Sequence, residues 1–383
     1  MKKIIIILSC IFSFFCICLI GLVTWYSLSL KPVGNDQTIE FAIDPGTPSK
    51  IVIDNLYKKG LIKSNKAGYI FIKLNHYNLQ AGLYELNTNM TIEEMLTKIN
   101  KGEVIDNSIK VTFIEGQKLT NFEPSKDGRV VEEGVKLKSF AKTISANFPY
   151  TEQEAVELMT NEEYIKELIE KYWFLTDDIL NDKLYYALEG YLAPNTYSFK
   201  KDATLKEIIE RLLDGTDAIL KEHKKDIEDS EYTIHEIITL ASIIENETGS
   251  QTANADVKDV RAAIAGVFYN RLAIGEPLGS DVTTYYGAKV EMADRDLIKN
   301  DRLGIDEINT YTPYNTRVKT GLPIGPICAP SKKSLESALK PEKHEYLFFV
   351  ADKNGKTYFT KNSEQHNNKI AELKRQGLWY EYK

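Results

Sequence analysis

The run Thr233-Ile234-His235-Glu236-Ile237-Ile238-Thr239-Leu240-Ala241-Ser242-Ile243-Ile244-Glu245-Asn246-Glu247-Thr248 carries a carboxyl in an unusual setting. Thr233 and Glu236 have the spacing of a capping box, which predicts a helix start. At about 100° per residue, Ile234, Ile237, Ile238, Ala241 and Ile244 form one apolar stripe, and Glu245 falls within it. Glu247 lies nearer the border of the stripe and Glu236 outside it. A carboxyl turned inward at the C-terminal end of a helix is disfavoured as an anion, by desolvation and by the helix dipole. Those are the conditions under which a glutamic acid keeps its proton and serves as a general acid. Glu245 is the candidate proton donor. The alternative is a buried ion pair with Arg261 or Arg271.

Other patterns imitate active sites and fail on a residue. His235-Glu236-Ile237-Ile238-Thr239 opens like the zinc-protease signature, but Thr239 stands where the second His is needed. Ser139-Phe140-Ala141-Lys142, Ser280-Asp281-Val282 and Lys319-Thr320-Gly321 follow the order of the penicillin-binding motifs. Val282 replaces the required Asn, and Leu322-Pro323-Ile324-Gly325-Pro326 breaks the strand that the third motif needs. No glycine-rich phosphate loop follows a strand, and the 5 His are dispersed. The sequence predicts no metal site and no cofactor.

The elements that must position Glu245 are read from periodicity and turn chemistry. Thr38 to Ile43 alternates like a strand, and Pro45 to Ser49 turns into a helix that stops at Lys59-Gly60. Gly82 to Leu86 is a second strand, and Thr91 with Glu94 caps a helix ending near Lys101-Gly102. A further strand, Ile109 to Ile114, leads into Glu115-Gly116-Gln117-Lys118-Leu119-Thr120. Residues 123–232 read as mostly helical, broken at Glu189 to Tyr197. Residues 273–330 are rich in Gly and Pro, which marks a functional surface and the natural wall opposite Glu245. Tyr346 to Val350, a turn at Asp352-Lys353-Asn354-Gly355 and Thr357 to Phe359 form a hairpin. The expected fold class is α+β.

The chain has 383 residues, 43% hydrophobic and 27% charged, which excludes disordered and collagen-like classes. With 48 Lys and Arg against 55 Asp and Glu, it lacks the basic footprint of a nucleic-acid binder. Ile4 to Leu30 is an uncharged run of 27 residues, long enough to span a bilayer and too long for a cleaved signal core. Lys2 and Lys3 would stay cytoplasmic, leaving a single-pass anchor over 1–30, a linker over 31–37, and the rest outside the cell membrane. Cys10, Cys16 and Cys18 fall in that anchor and only Cys328 beyond it, so no disulfide framework is expected.

Taken together, several motifs resemble one family. They are Glu189-Gly190-Tyr191-Leu192-Ala193-Pro194-Asn195-Thr196-Tyr197, Leu240 to Thr248, Val267-Phe268-Tyr269-Asn270-Arg271-Leu272 and Leu278-Gly279-Ser280-Asp281-Val282-Thr283. Tyr314-Asn315-Thr316, Gly321 to Ile327 and Phe349-Val350-Ala351-Asp352 follow in the same order. The chain resembles the membrane-anchored endolytic murein transglycosylases, the YceG-like (MltG) family. Residues 38–104 look like the LysM-like module that precedes the catalytic part, which would be 105–383. Ala193, Asn195, Gly279, Val282 and Arg317 depart from the family pattern.

The resemblance implies a lyase that cuts the MurNAc-β-1,4-GlcNAc bond of peptidoglycan glycan strands and leaves 1,6-anhydro-muramic ends. Glu245 would be acid and then base. Glu189, Tyr191, Ser280, Asp281, Thr283, Asn315, Thr316 and Glu247 would be the candidate substrate-binding residues, with membrane peptidoglycan synthases as further partners. Two other readings stay open: a lysozyme-like hydrolase using Asp281 or Glu189 to position water, and a non-catalytic wall-binding or assembly protein.

Overall fold

The computed structural model describes residues 2–105, 108–122, 130–131, 139–248, 257–289, 298–299 and 309–379. It falls into two compact units, residues 1–111 with 196–203, and residues 112–195 with 204–383. The N-terminal unit therefore takes in chain on both sides of the expected 38–104 module, including a strand from far along the sequence.

In the first unit, helix α1 (Lys2–Ser29) opens the chain. Its side chains are described from Phe14 onward, and Phe14, Phe15, Ile17 and Ile20 are 64–69% exposed. Among the described residues no helix is long and apolar enough to cross a membrane, a statement that does not reach the side chains before Phe14. Then come β1 (Thr38–Ile43), α2 (Ser49–Lys58), α3 (Asn65–Asn75), β2 (Gly82–Asn87), α4 (Ile92–Lys101) and β3 (Ser108–Thr112). β1 and β2 pair antiparallel from Thr38↔Asn87 to Ile43↔Gly82. The period-two pattern of β1 turns Phe41 and Ile43 inward, onto Val52, Ile53 and Leu56 of α2 and Met95, Leu96 and Ile99 of α4. Burying each such side chain contributes roughly 1.5–3 kcal/mol. The Thr91–Glu94 capping box starts α4, and Gly102 ends it in the left-handed region. β3 stops short of the expected Ile114 because the Ile114 N–H turns to the side-chain oxygen of Gln117.

The second unit is mostly helical. After the short β4 (Val130–Val131), it runs through α5 (Phe140–Asn147), α6 (Glu152–Met159) and α7 (Glu162–Lys171). β5 (Thr196–Lys200) leaves this sequence to pair with β3 in the first unit, where Lys200 forms an ion pair with Glu40. The chain returns as α8 (Leu205–Glu222), α9 (Lys224–Glu228), α10 (Ile234–Thr248), α11 (Val260–Ala273) and α12 (Asp281–Gly287). β6 (Ile298–Lys299), which pairs with β4, is followed by α13 (Lys332–Leu339), β7 (Phe348–Ala351), β8 (Thr357–Thr360) and α14 (Ser363–Arg375). β7 and β8 form the expected hairpin, from Phe348↔Thr360 to Ala351↔Thr357.

α10 is the centre of this unit and packs on α11 and α13. Its burial extends beyond the apolar stripe. His235, Thr239 and Ser242 are as enclosed as Ile237, Ile238, Ala241 and Ile244, so the helix is buried on nearly every side.

Candidate active site

Glu245 lies in the last turn of α10 and is 9% exposed. Its Oε2 accepts three hydrogen bonds, from the Ser331 N–H at 2.9 Å, the Ser331 hydroxyl at 2.5 Å and the Ser334 hydroxyl at 2.7 Å. Ser331 is the N-cap of α13, and its hydroxyl also accepts from the Ser334 N–H. The Ser-Lys-Lys-Ser start of α13 thus presents its donors to the end of α10, where a free helix N-terminus favours an acceptor. Among the described residues no donor reaches Oε1, and it is not among the polar atoms sealed from solvent without a partner.

Neither arginine of the alternative reading pairs with Glu245. Arg271 donates instead to the carbonyls of Leu347, Pro277 and Leu278. Arg261 lies nearby on α11, and its Nε has no hydrogen-bond partner among the described residues.

A second wall comes from the turn after β3. The Gly116 N–H donates to the Ala329 carbonyl and the Ala329 N–H to the Gln117 carbonyl, which clamps the turn to the segment before α13. Gly116 sits at φ +74°, and a Cβ there would come within 3.6 Å of Asn246 Oδ1 and 4.0 Å of Glu245 Cγ. Glu115, which precedes it, is open to solvent. Although the residue is exposed overall, partial desolvation of its carboxyl at this turn and then the charge of Glu245 push that carboxyl up from the ordinary range, against the pull of Arg261 and Lys333.

The remaining expected residues divide into two groups. Glu247 and Ser280 meet directly, the Ser280 hydroxyl donating to Glu247 Oε1 at 2.5 Å. Ser280, Thr283, Asn315 and Thr316, expected among the substrate-binding residues, are almost wholly buried. Thr316 Oγ1 accepts from the Ser280 N–H, Thr283 and Thr316 share a hydroxyl contact at 2.7 Å, and Asn315 Oδ1 accepts from Thr284. This network ties the 310–317 loop to the start of α12. Asp281 is exposed and forms an ion pair with Arg317, with Nε at 2.6 Å and Nη2 at 2.5 Å from one carboxylate oxygen. The departure at Arg317 is thereby given a partner.

Glu189 and Tyr191, also expected among the substrate-binding residues, are interior too. Glu189 is 2% exposed, accepting from the Leu119 N–H and the Tyr286 hydroxyl. Tyr191 is 0% exposed, and its hydroxyl meets His235 Nδ1 at 2.7 Å. His235 Nε2 donates to the Ile324 carbonyl, so Nδ1 is the acceptor in that pair. Gly190 separates these two residues at φ +81°, where a Cβ would stand 2.3 Å from Pro326. Only glycine lets the 189–191 turn approach the 326–328 segment. Sequence reasoning missed Ser331, Ser334 and Glu115. The cap spacing of Ser331 and Ser334 was readable, but not what the cap receives.

These features define an α+β protein built around one enclosed carboxyl on a core helix. Residues 41–372 match the YceG-like family, and the chain belongs to that family. It is 33% identical over 343 residues to the endolytic murein transglycosylase of Bacillus subtilis (strain 168), covering 88% of this chain and 86% of that protein. It is 30% identical over 355 residues to the endolytic murein transglycosylase of Streptococcus pneumoniae D39, covering 90% of this chain and 60% of that longer protein. The crystal structure of a yceG-like protein from Listeria monocytogenes matches 87% of this chain and 99% of its own, with TM-score 0.56 and 31% identity.

Proposed function

We propose that this chain is a peptidoglycan lytic transglycosylase, a lyase that cleaves the MurNAc-β-1,4-GlcNAc bond and leaves 1,6-anhydro-muramic ends. The observation that carries the reading is the asymmetry of Glu245, whose Oε2 takes three donors while, among the described residues, Oε1 takes none. The similarity to two proteins named endolytic murein transglycosylase supports the same reaction class.

In the proposed mechanism, Oε1–H protonates the glycosidic oxygen as the C1–O bond breaks. The muramic C6 hydroxyl then attacks C1, and Oε1 takes up its proton. The proton count closes without water, so no second carboxyl is needed to activate one, unlike inverting hydrolysis. Acid–base help of this kind is worth about 10²–10⁴-fold. Ser331 and Ser334 hold Oε2 still, so the proton-bearing oxygen keeps one orientation.

We further infer that residues 1–30 anchor the protein in the cell membrane, with the N-terminus cytoplasmic and the catalytic part outside. The uncharged Ile4–Leu30 run and the outward apolar side chains of α1 support this. Residues 38–104, whose strand–helix–helix–strand order supports a LysM-like reading, would grip glycan. Termination of nascent strands beside membrane synthases is the proposed setting.

Mass spectrometry of products from purified glycan strands tests the reading. Anhydro-muramic ends are the expected product, and free reducing ends alone would make the enzyme a hydrolase.

A further inference from the structure

Helix α3 buries Ala67, Gly68, Phe71 and Ile72 in the core of the first unit. Its other side carries Lys66, Tyr69, Ile70, Lys73 and Leu74, all exposed and on one stripe at helical spacing. Ile70 and Leu74 are 40% and 67% exposed, on a side that is ordinarily polar when it faces water. The charge is as lopsided. Residues 49–77 hold six lysines against one acid, Asp54, in a chain whose net charge is −7. Asp54 is engaged by the Asn65 side chain at 2.7 Å. Among the described residues none of the six lysines forms an ion pair: Lys59 reaches the Glu40 carbonyl at 3.5 Å, and Lys73 lies over the Tyr69 ring at 4.9 Å.

The end of α1 fixes where this face stands. The Leu30 carbonyl accepts from the N–H of Ile92, the first residue of α4, at 3.1 Å, and the Leu30 side chain packs on the core of the unit. Ser29 is 7% exposed, so α1 runs into the module without a free spacer. Trp25, an aromatic of the kind that sits at headgroup level, is 39% exposed, and Ser29 lies about 6 Å further along the axis. β1 starts at the same end of the module, with Thr38 opposite Asn87 and Gly34 and Gln37 bonded to Thr88. The Lys59 contact with Glu40 brings the α2–α3 turn back to the first half of β1. Lys58, Lys59, Lys63 and Lys66 therefore cluster at the end from which α1 leaves.

We propose that the α2–α3 turn and the outer stripe of α3 dock on the anionic lipid surface of the membrane that holds α1, with the lysines on headgroups and Ile70 and Leu74 entering the interface. The inference rests on the anchor reading above and goes beyond it, because it gives the module a second hold on the bilayer. Basic and apolar side chains sharing one helix face are the composition of interfacial helices. The contact is intramolecular once α1 is inserted, so a modest affinity suffices to keep it made. Its lysines lie within about a Debye length of the surface, where their charge is felt.

The test is amine acylation of the full-length protein in vesicles of phosphatidylcholine alone and of phosphatidylcholine with phosphatidylglycerol, read by mass spectrometry. Labelling of Lys58, Lys63, Lys66 and Lys73 should fall about fivefold in the anionic vesicles, the worth of one lysine at such a surface, and return in high salt. Lys171 and Lys206 on the second unit serve as internal references. In Lys63→Glu/Lys66→Glu, with an unchanged Tm, the protection of Lys58 and Lys73 should be lost. Equal labelling in the two vesicles overturns the proposal, as does protection that appears only when purified glycan strands are added, which gives the face to the wall. Washing the phosphatidylcholine vesicles with salt separates this from the anchor reading. Protein that stays bound yet labels equally in both lipids upholds the anchor and overturns the docking. Protein that washes off phosphatidylcholine but is protected on anionic vesicles does the reverse.

Discussion

Ser331 grips Glu245 twice, donating its backbone N–H at 2.9 Å and its hydroxyl at 2.5 Å to the same carboxylate oxygen. The two residues are 86 apart in sequence, and the contact joins the last turn of α10 to the first of α13. It uses the donors that a helix start leaves unpaired to orient a carboxyl that burial would otherwise leave unsupported.

Removing that hydroxyl should therefore affect stability and catalysis together. Ser331→Ala loses a helix cap, worth about 1 kcal/mol, and one of the three donors on Oε2. We expect a lowered Tm and a kcat reduced roughly tenfold, the value of about 1.4 kcal/mol in a transition state. Thermal melts and steady-state cleavage of glycan strands measure both; an unchanged kcat would remove Ser331 from the account of orientation.

Glu245→Gln keeps an acceptor for Ser331 and Ser334 but has no carboxyl proton to give. Its fold and glycan binding should persist while cleavage falls by about 10²–10⁴-fold. Glu245→Ala should also be less stable by about 1–3 kcal/mol, because the buried Ser331 N–H loses its acceptor. Chemical denaturation of the two variants side by side checks the contrast.

Tyr191→Phe should be a stability variant. It removes the donor to His235 Nδ1 in a site that is 0% exposed at Tyr191 and 7% at His235. The expected cost is about 1–3 kcal/mol with KM for glycan unchanged. A raised KM at full stability would return Tyr191 to the substrate-contact set.

The Asp281–Arg317 pair, with side chains 51% and 42% exposed, should contribute under about 1 kcal/mol and less in high salt. Asp281→Asn is expected to shift Tm little, and its effect on cleavage, measured at low and high salt, reports whether this surface touches substrate.

The raised carboxyl of Glu115 has a consequence for stability with a definite sign. Because the folded chain binds this proton more tightly than the unfolded chain, its contribution is unfavourable once pH rises above the usual glutamate range. Glu115→Gln should gain on the wild type as pH is raised from about 4 to 7, and match it at the acid end. Melts at several pH values follow the difference; a gain that shrank with rising pH would contradict the sign.

Local chemistry was legible because it depends on neighbours in sequence. The Thr233–Glu236 cap is present, with the Thr233 N–H donating to Glu236 at 2.8 Å and the Glu236 N–H to Thr233 at 3.2 Å. The α4 cap and the β7–β8 hairpin follow the same logic, since three-residue spacings and turn residues satisfy backbone donors within one segment. What only the tertiary structure decided is which polar residues turn inward and what meets them. Ser280, Thr283, Asn315 and Thr316 have the side chains of a polar groove, but they are buried with partners that lie about 30 residues away in the chain, Thr316 for Ser280 and Thr283, and Thr284 for Asn315. Among the described residues, 328–334 and the 114–117 turn meet Glu245, because the free donors of α13 and the clamp on Ala329 lie there. Periodicity turns Glu245 inward, whereas its partners come from segments whose approach depends on packing the entire unit, which no local pattern encodes.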